Sequence, residues 1–470
     1  MQGLIRLLWS ACLLMGSLQA GASETSNKQR TSKFADSASL RWPLGTELLR
    51  FENVEGIVLL RGTLRGDTNR DTTGPIALDT GAGYLALDAG LARTLGLADS
   101  TAAQEAVGRA ARPLARLTLG GWSIDRIEPV LTVDGQIVRR VSDRPVLGLL
   151  GHRPLRDRVV WIDYREEVVA LIPGSAVAGG NEPSLAATKV DELDVGDEVA
   201  GSRQPAAGDS ALVRSRALLA GLLTPRAVAV RFLLVGDGKI VVRGRVSDPI
   251  PPHYSRPLTW LLDTGATKCV LFEDSLGARV AHAGEWPALR GLSAPTLIGT
   301  AEARIARIPS MELESVGGTL MAVGVDAGVI RTDLSRVLAR VTRETIHGVI
   351  GYSLLKRFRV AVDYPNRVLW LDPIPGYRDS RPLEYCHVGL QLERRDGAIV
   401  VMGVAEGSPA GRAGITRDDE LVELDGRPVR ELDLIGLARR MEGAPGRPLT
   451  LVVRRNSVDR TYHLVRRRLL

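Results

Sequence analysis

Lysine, cysteine and aromatic side chains are scarce in this chain, and each scarcity excludes something. Only six of the 61 basic residues are lysine. The arginines that make up the rest are interleaved with Asp and Glu, so the net charge of +7 reads as a compositional bias, not as a nucleic-acid footprint. Only the C-terminal RRNSVDRTYHLVRRR is dense in basic residues, and it reads as a solvated strand face and tail. Aromatics are 4% of residues, too few for base-stacking platforms. The three cysteines form no CxxC, which removes zinc ribbons and redox motifs. Cys12 lies in the N-terminal apolar stretch, while Cys269 and Cys386 fall in different domains and read as two separate buried thiols. HExxH, GNSGG and GxSxG are all missing, and GDGK at positions 236–239 is a turn, not a phosphate loop. No metal and no other cofactor is expected.

A chain of 470 residues accommodates about three domains. Residues 1–22 have the parts of an export signal: a charge at Arg6, an apolar stretch over 7–18 and small residues around 20–22. That stretch is too short to span a bilayer comfortably, and no other segment is apolar for long enough. The expected location is therefore periplasmic or secreted, with no stable membrane span after cleavage. Residues 23–45 form a polar leader. From residue 46 short β-like runs follow one another, at 57–60, 76–78, 85–87, 114–119, 159–162 and 168–172, separated by Gly, Asp and Pro turn signals. Residues 174–225 are rich in Ala, Gly, Asp and Glu and read as a linker with a helical turn near 212–223.

The β pattern then repeats. GIVLLRGTL from Gly56 corresponds to KIVVRGRV from Lys239, and LDTGAGYLALD to LDTGATKCVLF. Residues 146–173 align without a gap on 346–373, matching Gly148, Gly151, Asp163, Tyr164 and Pro173 to Gly348, Gly351, Asp363, Tyr364 and Pro373. From Asp79 to Gly148 is 69 residues and from Asp263 to Gly348 is 85, so the second copy carries an insertion, expected in a loop. The duplicated unit spans 46–173 and 226–376. Asp163 and Asp363 sit before YREE and YPNR and read as strand-end turns.

Asp-Thr-Gly-Ala occurs in both copies, each time after an apolar run, at 79–82 and 263–266. An Asp at a strand tip followed by Thr-Gly makes a tight loop, with Gly81 and Gly265 allowing close backbone approach. Thr80 and Thr264 offer hydroxyls to lock two such loops together. Loops meeting face to face would bring two carboxylates to one water and let them share a proton, so that one acts as acid and the other as base. These residues, with the apolar-apolar-Gly runs ending at Gly151 and Gly351, resemble retropepsin-type aspartic peptidases, in particular a bacterial group with two lobes and a C-terminal PDZ domain. The resemblance implies a mainly β chain of two retropepsin-like (acid-protease) β-barrel lobes forming a pepsin-like pseudo-dimer. It implies Asp79 and Asp263 as the catalytic pair, supported by Thr80, Gly81, Thr264 and Gly265, and an extended polypeptide as substrate. Ala82 and Ala266 stand where many pepsin-like sites have Ser, and His152 and Tyr352 where relatives often have Asp or Asn. Position alone points to 107–113 and 291–295 as flap segments.

Residues 383–470 read as strand, strand, turn, strand, helix, strand, with the helix over 432–441, apolar at Leu434, Ile435, Ala438 and Met441. HVGL at 387–390, GVAEGSPAGRAGI at 403–415 and DDELVELDG at 418–426 resemble a PDZ module. That resemblance implies backbone amides of Val388, Gly389 and Leu390 holding a peptide carboxylate, with the peptide added as a strand along that loop. The expectation is an exported aspartic endopeptidase with a PDZ domain for substrate or partner C-termini. Two alternatives stand beside it: an inactive scaffold acting through its PDZ domain, and lobes paired between two chains.

Overall fold

The computed structural model describes residues 40–67, 70–98, 110–134, 144–174, 210–249, 253–277, 279–296 and 299–470. The segments read as signal (1–22) and most of the leader and linker lie outside them, as do residues 107–109 of the first flap segment. The chain is mainly β, with barrel-like sheets and a separate C-terminal sheet.

The two copies build the same local motif. In the first, strand Asp71–Leu78 runs parallel to Gly148–Leu150, which lies antiparallel to Leu85–Asp88. In the second, Leu258–Leu262 runs parallel to Gly348–Ile350, which lies antiparallel to Cys269–Phe272. Each inserted strand begins at a repeated glycine because the neighbouring backbone leaves no room for a side chain. A Cβ on Gly148 would stand 2.1 Å from the Ala86 carbonyl oxygen, and one on Gly348 would stand 2.2 Å from that of Val270. Leu78 and Leu262, which end the apolar runs, are wholly buried, each contributing about 2 kcal/mol by removal from water.

The gap-free part of the repeat pairs with itself. Arg158–Asp163 lies antiparallel to Phe358–Asp363, with Trp161 opposite Ala361. The repeat offset is 348 − 148 = 200 residues, so Trp161 faces its own counterpart and the strand pair straddles a local twofold axis. The turns beyond are closed by the repeated aspartates. Asp163 Oδ1 accepts from the amides of Arg165 (2.9 Å) and Glu166 (3.1 Å), and Asp363 Oδ1 accepts from that of Asn366 (3.0 Å).

The insertion in the second copy is not a loop. Asp88 pairs with Val133, 45 residues on, whereas its counterpart Phe272 pairs with Ile330, 58 residues on, so most of the extra residues lie between these points, where strand Ala288–Thr296 adds to the ribbon of Gly299–Ser315 and Gly318–Arg331. The ribbon projects Met321 and Val323 into solvent. The linker region contributes helix Ser210–Leu218.

The C-terminal sheet runs in the order Leu390–Arg395, Ala398–Val404, Glu420–Leu424, Pro448–Arg455, Val458–Val465. Helix Leu434–Met441 is capped by Asp433, whose carboxylate accepts from the Gly436 amide at 2.6 Å. This sheet is docked on the second β unit. The Gln391 carboxamide accepts from the Ser293 amide (2.9 Å) and donates to the Ser293 carbonyl (2.6 Å), as a strand would. Residues 291–295, a flap segment by position, therefore lie on strand Ala288–Thr296, packed against the C-terminal sheet. Buried Lys268 pairs with buried Glu384 at 2.5 Å, and Arg381 bonds both Glu55 (2.6 Å) and Glu442. Cys269 and Cys386 are buried and unbridged.

Candidate functional site

Each Asp-Thr-Gly-Ala segment leaves its strand through a hydrogen bond to the inserted strand. The Asp79 amide donates to the Leu150 carbonyl and the Asp263 amide to that of Ile350, both at 3.0 Å. Each aspartate then folds its own loop. Asp79 Oδ1 accepts from the amides of Gly81 (2.8 Å) and Ala82 (3.1 Å), and Asp263 Oδ1 from that of Gly265 (2.8 Å).

The loops interlock through their threonines. The Thr80 amide donates to Thr264 Oγ1 (3.1 Å), and that hydroxyl donates to the Leu78 carbonyl (2.9 Å). The reciprocal pair runs from the Thr264 amide to Thr80 Oγ1 (3.0 Å) and on to the Leu262 carbonyl (3.0 Å). All four residues are buried, and the carboxylate of Asp263 lies against Gly81, where a Cβ would stand 2.7 Å from its Cγ. The structure thus brings together Asp79, Thr80, Gly81, Asp263, Thr264 and Gly265 from segments 184 residues apart.

Ring side chains from both copies pack near this pair. His152 packs on Tyr364 with the rings tilted and Tyr352 meets Tyr164 edge-on, with ring centroids 4.8 and 5.0 Å apart. Gly56 and Gly238, at the tips of corresponding hairpins, press on Tyr352 and His152, where a Cβ would stand 2.1 Å away in each case. His152 and Tyr352, which stand where relatives often have Asp or Asn, therefore join the two copies by packing. Burial, aided by Arg156 and Arg153, pulls the His152 pKa down to about 4, and burial pushes both Tyr164 and Tyr364 well up. Behind the first loop, Lys239 from the second copy donates to the Gly81 carbonyl at 2.7 Å.

In the C-terminal sheet, Leu390–Arg395 is an edge strand beside helix Leu434–Met441. Of the three residues read as carboxylate-binding, Leu390 opens this strand opposite Val404, and the Val388 carbonyl accepts from the Ala410 amide. The Gly389 amide donates to His387 Nδ1 at 2.8 Å. His387 is buried, which pulls its pKa down to about 4 and keeps the ring neutral. Among the described residues, no group of three His, Cys, Asp or Glu side chains is placed to hold a metal ion, and no helix is long and apolar enough to cross a membrane.

Comparison with known proteins assigns this last sheet. Residues 400–455 match the family model described as PDZ domain. The chain carries a PDZ domain. Its curated relatives include carboxyl-terminal-processing peptidase 3 of Arabidopsis thaliana chloroplasts, 42% identical over 66 residues, or 14% of this chain and 13% of that protein. They also include the carboxy-terminal-processing protease of Bartonella bacilliformis, 28% identical over 20% of this chain and 24% of that protein. The third is the carboxy-terminal processing protease CtpA of Bacillus subtilis, 30% identical over 15% of each. The chain thus spans less than a quarter of the length of these relatives. Among solved structures, the aspartic proteinase of Irpex lacteus matches 70% of this chain and 98% of its own at 12% identity, with a TM-score of 0.38, too low to assign fold or function.

These relatives correct the sequence expectation of an aspartic endopeptidase: the homologues are carboxy-terminal processing proteases with PDZ domains. The physical reason is that Asp-Thr-Gly encodes a tight turn, a local chemistry that any fold can recruit, and not a line of descent.

Proposed function

We propose that this chain is a protease that engages polypeptides through their C-termini, with the PDZ domain as the capturing element. The observation that carries the reading is the PDZ domain itself, with its edge strand Leu390–Arg395 open beside helix Leu434–Met441, in a chain whose relatives are carboxy-terminal processing proteases. A captured chain adds as a further strand along that edge, its carboxylate at the 388–390 loop, where the Gly389 amide is already engaged by His387 Nδ1. The proposed reaction site is the interlocked pair of acidic loops, with Asp79 and Asp263 as the catalytic groups and Thr80, Gly81, Thr264 and Gly265 as their support. In the same proposal the two copies are retropepsin-like lobes forming a pepsin-like pseudo-dimer, bounded at 46–173 and 226–376, joined by linker 174–225 and followed by the PDZ domain at 383–470. Export rests on the character of residues 1–22.

The test uses the full chain with one unstructured 20-residue peptide in free-acid and C-terminally amidated form. The expected outcome is faster cleavage of the free acid, and a loss of about a hundredfold or more in Asp79→Asn and Asp263→Asn, the scale of general acid–base catalysis. Equal rates on the two peptides refute C-terminal capture. Undiminished cleavage by either Asn variant moves the reaction site elsewhere.

A further inference from the structure

The two acidic loops are equivalent in sequence but not in what stands behind them. Val58 lies opposite Leu78, and the register of Val241 with Leu261 places Ile240 beside Leu262. Leu78 and Leu262 each precede the aspartate of their copy, so Ile57 corresponds to Lys239 and Gly56 to Gly238. The contacts of Gly56 with Tyr352 and of Gly238 with His152 agree with that correspondence.

One copy thus sends an isoleucine to the position where the other sends a lysine. Ile57 is 3% exposed and packs in an apolar cluster with Val54 and Leu59. Lys239 is 1% exposed, with its ammonium on the Gly81 carbonyl at 2.7 Å and 3.6 Å from Asp237. The Asp237 carboxylate lies over Gly83, where a Cβ would stand 1.8 Å from its Oδ2. Lysine is itself the exception in this chain, since 61 − 6 = 55 basic positions are arginine. The three lysines among the described residues all have largely buried side chains. A compact ammonium fits behind a loop where the planar fork of an arginine does not.

We infer that Lys239 is a positioning residue for Asp79, a cross-copy strut that fixes the Gly81 carbonyl and so sets the first loop differently from the second. Its hold on Gly81 orients the peptide units whose amides fold back on Asp79 Oδ1. The catalytic consequence rests on the proposal that these loops are the reaction site, whereas the structural consequence does not.

The test compares the full chain with Lys239→Met, with Lys239→Met/Asp237→Asn, which removes charge and counter-charge together, and with Lys239→Arg. Amide exchange is followed in segments 78–84 and 262–266, and turnover in initial rates across a range of fluorescein-labelled casein concentrations. In the double variant, exchange in 78–84 rises about tenfold and at least severalfold more than in 262–266. Its kcat falls about tenfold with KM within twofold, and Lys239→Arg does not restore it. Equal loosening of both loops, or none, overturns the inference, as does full activity in the double variant. If the wild type leaves casein intact, the reaction-site proposal fails, and the exchange measurement alone decides the strut.

Discussion

Replacing Thr264 by valine keeps the side-chain shape and removes one hydroxyl from the wholly buried interlock. That hydroxyl accepts from the Thr80 amide at 3.1 Å and donates to the Leu78 carbonyl at 2.9 Å. Neither partner has solvent to turn to, so the substitution strands one buried donor and one buried acceptor. At about 1–3 kcal/mol for each group left unsatisfied, the cost is about 2–6 kcal/mol, with a centre near 4. At about 2–4 °C per kcal/mol for a cooperative unit of 150–250 residues, the β region melts roughly 8–16 °C lower. The assay is calorimetry or tryptophan-fluorescence melting, with Thr63→Val as control. Thr63 makes a comparable side-chain bond to Thr73 (2.8 Å) at the surface, and its loss moves stability by about 0.5 kcal/mol or less. Because the reciprocal bonds of Thr80 hold the same two loops, Thr80→Val/Thr264→Val costs at least about 1 kcal/mol less than the sum of the singles. A Thr264→Val protein within 0.5 kcal/mol of wild type refutes the reasoning.

Two further outcomes follow from particular contacts. His387 is held neutral by burial, its pKa falling from the ordinary 6.5 to about 4, so its stabilising contribution is present above pH 6.5 and is lost as pH falls through 4. His387→Asn keeps an acceptor for the Gly389 amide, and in denaturant titrations it flattens the loss of stability between pH 6.5 and 4 by about 3 kcal/mol; an unchanged slope rejects the assignment. Gly56→Ala drives a Cβ into the Tyr352 ring from a backbone at φ +94°, and it costs about 3 kcal/mol or more by urea unfolding, whereas Gly446→Ala, also at positive φ but with open space around it, costs about 1–2 kcal/mol.

What the sequence made legible was what repeats. The strand at 114–119, the gap-free pair 146–173 and 346–373, and the helix ending at Met441 all stand in the structure because periodicity and turn chemistry act locally. The convergence of the Asp-Thr-Gly-Ala loops was readable for the same reason, since two equal strand ends meeting on an axis meet loop to loop. Lys239 and Asp237 were not readable. Their importance depends on a hairpin tip crossing to the other copy, and GDGK by itself is an ordinary turn. The docking of residues 291–295 on the PDZ domain was invisible too, because it depends on a side chain, Gln391, imitating backbone. Local motif chemistry also spoke more loudly than ancestry, and the relatives corrected the functional expectation drawn from it.

The strand pair centred on Trp161 and Ala361 sets a timetable for the newborn chain. Arg158–Asp163 is complete on one side through its pairing with Val168–Pro173, while its other neighbour, Phe358–Asp363, is encoded 200 residues later. At about 5–20 residues per second, the ribosome takes roughly 10–40 s to supply it. Throughout that interval the first copy carries a bare β edge, the kind of surface that recruits other unfinished chains. The edge begins at Arg158 and ends at Asp163, and charge at its two ends is the guard available before its mate arrives. The symmetry that brings the acidic loops together is therefore also the step of synthesis most exposed to chaperones and to crowding by identical nascent chains.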